Sequence, residues 1–200
     1  MILRTIEDLK NTFANNGGIM KTAELNNAGY HSRKIHKLLV SGVISKIKTG
    51  VYELANEVVP DEIMLMKLFP FAVIYLESAL LHYGYTERIP AAWQIAVDKD
   101  IAKGQFTIGY PPVEPFYLDC KYLDLGVTVY EINGVKIRIY DKERTICDVL
   151  RYVNKLDREV FNAAVQNYIK ESEKNISKLA EYAKILRVTK KVKNYFGVWL

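Results

Sequence analysis

The chain is poor in the residues that most metal-binding and catalytic sites require. It has 2 cysteines and 3 histidines, and Cys120 and Cys147 are far apart and not grouped with any histidine. That spacing argues against a zinc site and against a disulfide framework. We expect both cysteines to be buried packing residues, and His82, with no partner at ligand spacing, to be structural. No glycine-rich phosphate loop or nucleophile elbow is present, so neither a cofactor nor a catalytic residue is assigned.

Long apolar runs are also missing. No stretch approaches the roughly 18 apolar residues of a membrane span. Met1 leads directly into Ile2, Leu3 and Arg4, without the apolar core of a signal peptide. The sequence therefore predicts a cytoplasmic protein without membrane contact, and its 50% hydrophobic residues are enough to bury a core.

Charge is distributed unevenly along the chain. The net charge of +5 divides into +4 over residues 1–56, −4 over residues 57–140 and +5 over residues 141–200. A basic N-terminal lobe favours contact with nucleic acid, and the basic C-terminal lobe leaves a second such contact, or an acidic partner, open. At the C-terminus, aromatic residues that dock on the body are the commoner alternative to nucleic-acid binding. The residues concerned are Lys190, Lys191, Lys193, Tyr195, Phe196 and Trp199.

The stretch from Thr22 to Leu54 has the pattern of a DNA-binding unit. It predicts a short helix, a tight break, a basic helix and a basic hairpin, which is the order of a winged helix-turn-helix over residues 1–56. The expected elements are a helix capped by Thr5, a strand at Ile19-Met20, a helix capped by Thr22 and ending at Asn27, a helix over residues 32–41, and strands over residues 43–47 and 51–54 joined by Lys48-Thr49-Gly50.

The basic helix is expected to show its charge to the solvent. Ile35, Leu38 and Leu39 fall on one face at the spacing of a buried stripe, and Arg33 and Lys37 point away from it. In a winged helix such a helix enters the major groove while the hairpin contacts backbone phosphate or the minor groove. An ordinary solvated face is the alternative interpretation. The candidate DNA contacts are Tyr30, Ser32, Arg33, Lys34, His36, Lys37, Lys46, Lys48 and Thr49.

Residues 57–200 are expected to form a mixed α/β domain, so the predicted class is α+β with a small mixed or antiparallel sheet packed by helices. Asn133-Gly134 is the strongest hairpin signal, and the prolines at 111, 112 and 115 predict an irregular loop. The expected helices cover residues 61–69, 72–83, 157–171 and 176–187 with one more capped by Asp141, and the expected strands cover residues 94–97, 106–110, 116–118, 127–132 and 135–140.

Two charged groups in this second region could carry chemistry. Asp148 and Arg151, three apart in the helix that Asp141 opens, favour an ion pair with a structural role, ahead of partner binding or catalysis. Asp119-Cys120-Lys121 has the acidic-x-lysine spacing of metal-dependent nucleases. Chance explains that spacing as well, since Asp8-Leu9-Lys10 repeats it in a helix. A nuclease is therefore the less favoured alternative.

Three groups of residues, taken in order, resemble the AbiEi antitoxins of bacterial abortive-infection systems. They are the hairpin residues Lys48-Thr49-Gly50-Val51-Tyr52, then Glu77-Ser78-Ala79-Leu80 with Tyr83-Gly84, and then Tyr140-Asp141-Lys142-Glu143-Arg144-Thr145 with Asp148 and Arg151.

This resemblance spans essentially the whole chain, and it implies two functions. The winged helix would repress its own operon, with DNA contacts on Arg33, Lys34, Lys37, Lys46 and Lys48. The C-terminal domain would neutralise a nucleotidyltransferase-like toxin, without stable contact with it, in a type IV toxin-antitoxin system that limits phage spread. The first alternative is a plain winged-helix transcription factor with a ligand-sensing C-terminal domain. A stable dimer and monomers that pair on inverted repeats both fit the sequence.

Overall fold

The computed structural model describes residues 2–197, with side chains described from Ile6 onward. Trp199 therefore lies outside the described residues. The described chain divides into two compact units. The first reaches Phe71 and includes Thr107–Pro111 and Glu131–Ile137, and the second comprises Ala72–Phe106, Pro112–Tyr130 and the chain from Arg138 onward.

Helices and two β-sheets are both present, which confirms the predicted α+β class. Among the described residues, no helix combines the length and the apolar character needed to cross a bilayer.

The first unit packs its helices on a small antiparallel sheet with the strand order β1-β3-β2. Its elements are α1 (Ile2–Ala14), β1 (Ile19–Lys21), α2 (Thr22–Asn27), α3 (Ser32–Val40), β2 (Ile44–Lys48), β3 (Val51–Leu54) and α4 (Asp61–Leu68). The predicted start of the basic helix at Ser32 and the predicted strand over residues 51–54 are confirmed.

One buried cluster joins the helices of this unit to the sheet. Leu9 and Phe13, one turn apart on α1, pack with Leu25 of α2 and Ile35 of α3, all at most 4% exposed. The strands contribute Met20, Ile44 and Leu54 to the same cluster. Because α2 and α3 are short, their positions depend mainly on this packing rather than on helix propensity.

Two predicted helix starts in the first unit were wrong. Helix α1 begins at Ile2, so Thr5 lies inside it and does not cap it. Helix α2 is capped by Glu24, whose carboxylate accepts from the backbone N–H of Lys21 at 2.6 Å. Thr22 is the first residue of that helix, and its hydroxyl instead donates to the carbonyl of Gly50 at 3.3 Å. The side chain of Glu24, three residues after Lys21, therefore caps the helix in place of Thr22.

A mixed five-stranded sheet has the order β6-β5-β4-β8-β7, which confirms the predicted mixed sheet. Most of its residues belong to the second unit, and residues 131–137 of its β7–β8 hairpin are assigned to the first. Strand β5 pairs antiparallel with β4 and parallel with β6, and β4 pairs parallel with β8. The elements after Phe71 are β4 (Val73–Ile74), α5 (Leu76–His82), β5 (Trp93–Asp98), a 3₁₀ helix (Lys103–Phe106), β6 (Val113–Leu118), α6 (Cys120–Leu123), β7 (Val127–Ile132), β8 (Val135–Tyr140), α7 (Lys142–Arg151), α8 (Arg158–Lys170), α9 (Ile176–Ile185) and α10 (Thr189–Phe196).

Several predictions for the chain after Phe71 are confirmed. Strands β7 and β8 have their predicted bounds, and Asn133 and Gly134 between them have φ values of +49° and +76°, as a tight hairpin turn requires. Asp141 caps α7 by accepting from the backbone N–H of Arg144 at 2.8 Å. Helices α7 to α10 then share one large apolar cluster, which contains the buried Cys147.

The helix predicted over residues 72–83 was wrong in its first part. Val73 and Ile74 form the short central strand β4, and α5 begins only at Leu76, which has φ at +41°. The apolar residues from Ala72 to Leu76 are all buried, and such a run cannot be distinguished from a buried helix by periodicity.

Three further predictions for this part of the chain were wrong. Residues 106–110 form no strand, because Phe106 ends a 3₁₀ helix and the chain then bends toward the prolines. Pro115 lies within β6 rather than in a loop. A proline is tolerated there because β6 is an edge strand, whose outer side needs no N–H donor. Cys120 is exposed at the start of α6 rather than buried.

Candidate nucleic-acid interface

Helix α3 is held in place from one side and presents its charge on the other. Ile35 is 4% exposed and lies in the core of the first unit, with Leu38 and Leu39 packed against the same cluster. The turn before the helix depends on Gly29, which has φ at +82°, and on the N–H of Tyr30, which donates to the carbonyl of Leu25 at 2.8 Å. A residue with a side chain adopts that φ only under strain.

The polar residues of α3 predicted to contact DNA are on the exposed side. Ser32, Arg33, Lys34, His36 and Lys37 are all exposed. Within the described residues, the side chains of Arg33 and Lys37 form no hydrogen bond or ion pair with protein atoms. Their positive charge is therefore not neutralised locally, which leaves both side chains available to an external anion.

Lys34 and Tyr30 form a local pair beside this face. The ammonium of Lys34 lies 5.3 Å from the centroid of the Tyr30 ring and donates to the carbonyl of Gly29 at 3.3 Å. Tyr30 is 8% exposed and belongs to the core, although the sequence predicted it as a DNA contact. Burial raises the pKa of the Tyr30 hydroxyl, and the charge of Asp8 adds to that shift. Tyr30 is thus placed to position Lys34 rather than to reach a ligand.

Lys46 and Lys48, the two lysines of β2, differ in exposure and in their contacts. Lys46 is exposed and stands in register with Tyr52 of β3, and the register shifts between Lys46 and Lys48. The ammonium of Lys48 donates to the carbonyl of Leu68 at 3.5 Å and lies 4.7 Å from the centroid of the Phe69 ring. Burial lowers the pKa of Lys48, and the positive charge of Lys21 lowers it further. Lys48 is therefore occupied within the first unit.

Sequence reasoning overlooked Lys21 as part of this surface. Lys21 is exposed and stands in register with Val51, which in turn is in register with Lys48 on the other side of β3. Thr49 is exposed in the turn, where Gly50 has φ at +78°. Nothing in the spacing along the chain links Lys21 to the hairpin, because the link is made by strand pairing across about 30 residues of sequence. The exposed basic residues on β1, α3 and β2 are therefore Lys21, Arg33, Lys34, Lys37 and Lys46.

The charged cluster at the start of α7 has the opposite character. Arg144 and Asp148 are both fully buried, and Nε of Arg144 donates to Asp148 at 2.6 Å. The other Asp148 oxygen accepts from Arg151 at 2.8 Å, which confirms the predicted ion pair. The guanidinium of Arg144 also donates to the carbonyls of Tyr122 and Leu125 at 2.6 and 2.7 Å.

Two neighbours complete the enclosure of the Arg144 side chain. Its guanidinium lies 4.2 Å from the centroid of the Tyr140 ring. A Cβ added at Gly126, which has φ at +77°, would lie 2.6 Å from the Cβ of Arg144. Only glycine therefore fits at position 126, and the cluster locks α7 to the segment before β7 within the second unit.

The other residues that carry the resemblance in the second unit also make internal contacts. The hydroxyl of Ser78 accepts from the backbone N–H of Gln94 at 2.9 Å, and the Gln94 side chain accepts from the N–H of Glu77 at 2.8 Å. The hydroxyls of Tyr83 and Thr145 both donate to the carbonyl of Tyr140, at 2.8 and 3.3 Å. These hydrogen bonds fasten α5 and α7 to the sheet. The groups that form them are therefore used inside the protein.

Asp119 and Lys121, the candidate nuclease pair, take part in capping α6. Asp119 caps α6 by accepting from the N–H of Lys121, and its carboxylate also accepts from Lys99 at 3.2 Å. The described residues contain no group of three or more potential metal ligands. His82 stacks on Tyr130 with ring centroids 4.2 Å apart, in agreement with its expected packing role.

Comparison of the whole chain with known protein families finds no family model that matches it, and comparison with curated proteins finds no relative.

Proposed function

We propose that this protein is a cytoplasmic, DNA-binding transcriptional autorepressor and the antitoxin of a toxin-antitoxin system, which counteracts a nucleotidyltransferase-like toxin and limits phage spread. One observation carries the DNA-binding half. Helix α3 is anchored by Ile35 and presents Arg33 and Lys37, both exposed and without a protein partner among the described residues. A uniformly basic helix face that the core orients outward is the electrostatic footprint expected of a DNA-binding helix.

The order and pairing of the elements support a winged helix-turn-helix. A short helix and a tight turn precede α3, and the β2–β3 hairpin follows it and pairs with β1. In this arrangement α3 enters the major groove and the hairpin lies over the backbone. Arg33 and Lys37 would then read base edges, whereas Lys46 and Lys21 would contact phosphates. Lys48 has a smaller part in this proposal than the sequence alone predicts, because its ammonium is occupied.

The antitoxin half rests on the resemblance to the AbiEi antitoxins and belongs, in this proposal, to residues 57–200. The motif residues there build a buried framework around Arg144 and Asp148 rather than an open catalytic site. Buried charges that stabilise the domain fit an antitoxin that neutralises its toxin without catalysing a reaction. We assign no catalytic residue.

A ligand-sensing transcription factor is the second candidate, and one observation favours it. The second unit has a cleft of about 470 Å³ lined by polar residues that include Thr86, Arg88 and Asn167. Such a volume is within the range of small-molecule sites. Growth rescue separates the two candidates. Co-expression with a nucleotidyltransferase encoded beside this gene should restore growth if the protein is an antitoxin, and should leave the toxicity unchanged if it only senses a ligand.

Binding to the DNA upstream of its own gene tests the repressor half. Fluorescence anisotropy at about 150 mM salt, where non-specific attraction is weakened, would compare that DNA with a scrambled duplex of the same composition. We expect a preference of at least about a hundredfold, the low end of specific recognition. Equal affinity for the two duplexes would contradict sequence-specific repression at this site.

A further inference from the structure

An apolar groove lies beside the proposed recognition helix. It has a volume of about 780 Å³ and is walled by Ile6 of α1, by Leu38 and Val40 at the C-terminal end of α3, and by Val43 just before β2. Val40 is 76% exposed, which is unusual for a large aliphatic side chain in a folded unit. The basic residues Lys34 and Lys37 also line the groove. The groove is thus apolar at its centre and positive at its rim.

A complementary feature protrudes elsewhere on the same unit. Val58, in the extended segment after β3, is 99% exposed. Its neighbour Val59 is held against the chain, since a Cβ added at Gly18 would lie 2.7 Å from Cγ2 of Val59. Glu57 is exposed and has only a long contact of 3.6 Å with Lys10. The segment therefore presents an aliphatic side chain beside a carboxylate on a fixed backbone.

We propose that the groove binds the Glu57–Val58 segment of a second copy of this chain. Val58 enters the apolar part of the groove, and the carboxylate of Glu57 faces Lys34 and Lys37 at the rim. The match of charge selects this occupant, because two grooves placed face to face would bring four lysines together and repel one another. A side chain that fits a pocket elsewhere on an identical molecule is a known basis of self-association.

The contact is small, so the association is expected to be weak. One aliphatic side chain and its neighbours bury far less than the roughly 1,200–2,000 Å² of a stable interface. Lys34 and Lys37 also belong to the proposed DNA-binding face. It follows that a docked second copy covers part of that face, and that self-association and DNA binding compete. This last consequence rests on the proposed function, whereas the self-association does not.

Sedimentation velocity of the full chain without DNA tests the proposal. We expect the weight-average mass to rise with concentration between about 10 and 500 µM, the range in which small interfaces associate. Val58→Ser should raise the dissociation constant at least about tenfold, as the loss of one buried aliphatic side chain implies. Ile89→Ser is the matched control, because Ile89 is 78% exposed on the second unit. It should leave the association unchanged.

A charge exchange tests the register of the contact. Glu57→Lys and Lys37→Glu should each weaken the association, and the double variant should restore it to within about threefold of the natural chain. A single species at every concentration would overturn the proposal, and so would equal effects of Val58→Ser and Ile89→Ser. Failure of the double variant to restore association would overturn the assigned contact. None of these sedimentation measurements involves DNA. Failure of the self-association can therefore be distinguished from failure of the proposed DNA binding, which the anisotropy experiment tests.

Discussion

Helices α3 and α7 are similar in length and both carry charged side chains, yet they use their charge in opposite ways. Helix α3 has 9 residues and α7 has 10. The charged side chains of α3 are all basic, and they are all exposed. In α7, by contrast, Arg144 and Asp148 are fully buried and bonded to each other.

The difference shows that the signs of the charges along a helix determine whether those charges can be buried. A helix whose charges all have one sign cannot bury them, because each would lose its hydration without gaining a partner. A helix with opposite charges four apart can bury the pair and use it to fix its position. Charge density alone therefore does not distinguish a binding surface from a structural lock, whereas the sign pattern along the helix does.

Breaking the buried lock should have the largest effect. Asp148→Ala leaves the Arg144 guanidinium buried without a counter-charge, so we expect a loss of about 3–5 kcal/mol in the free energy of unfolding. Urea unfolding followed by circular dichroism measures it. The double variant Arg144→Met with Asp148→Leu removes both charges and should lose less than Asp148→Ala alone. A single variant that lost under about 1 kcal/mol, as an exposed pair would, contradicts the buried lock.

The corresponding change on α3 should leave stability intact and reduce binding. Arg33→Ala removes an exposed side chain with no partner among the described residues, so the free energy of unfolding should change by at most about 0.5 kcal/mol. Binding to the upstream DNA should weaken by about 1–3 kcal/mol, with relaxed base preference, if Arg33 reads a base edge. Anisotropy against the upstream and scrambled duplexes measures both effects. Equal weakening on the two duplexes would indicate that Arg33 contacts a phosphate rather than a base edge.

Two neighbouring lysines on β2 sharpen the same comparison. Lys46→Ala should lower the salt slope of DNA binding by about one, because one phosphate contact is lost. Lys48→Ala should leave the slope nearly unchanged, because its ammonium is held by Leu68 and Phe69. The experiment is a titration of affinity against salt for both variants. If Lys48→Ala changed the slope as much as Lys46→Ala, the internal contact of Lys48 would give way when DNA binds.

A half-buried pair in the second unit should have the smallest effect. Glu171 accepts from Lys142 at 2.7 Å and from the Tyr85 hydroxyl at 3.1 Å. The bond from Lys142 lowers the pKa of the Glu171 carboxyl below its ordinary value of 4.5. The stabilisation is therefore fully present above that value and is lost as the pH falls through the lower folded-state pKa.

Glu171→Gln should accordingly lower stability at pH 7 by at most about 1 kcal/mol, as for other accessible ion pairs. The deficit should disappear in acid, where the natural carboxyl is itself protonated. Urea unfolding of both proteins between about pH 7 and pH 3 checks this, since that window spans the ordinary carboxyl pKa. A deficit that stayed constant down to the lowest pH would assign the effect to packing instead.

Local signals in the sequence were sufficient for several elements of this fold. The hairpin at Asn133-Gly134, the cap at Asp141 and the stripe containing Ile35 depend on residues within one or two turns of each other, and all three are present. The exposed positions of Arg33 and Lys37 follow from the same stripe.

Several of the wrong or missing predictions depend on residues distant in sequence. Strand β4 exists because β5 and β8 flank it, which an apolar run cannot reveal. Lys48 is occupied because α4 ends beside it, and Tyr30 is buried because the core of the first unit encloses it. The buried partner of Asp148 was missed at Arg144, four residues away, because Arg151 offered an equally good spacing.

Charge reversal at two sites tests the central claim, that the basic face of α3 is the DNA-binding surface. Lys37→Glu and Lys193→Glu each replace an exposed lysine, one on α3 and one on α10, and change the net charge equally. Anisotropy at about 150 mM salt should show the preference for the upstream DNA lost in Lys37→Glu and retained in Lys193→Glu. Equal losses in the two variants would mean that net charge rather than α3 governs binding, and would contradict the assignment.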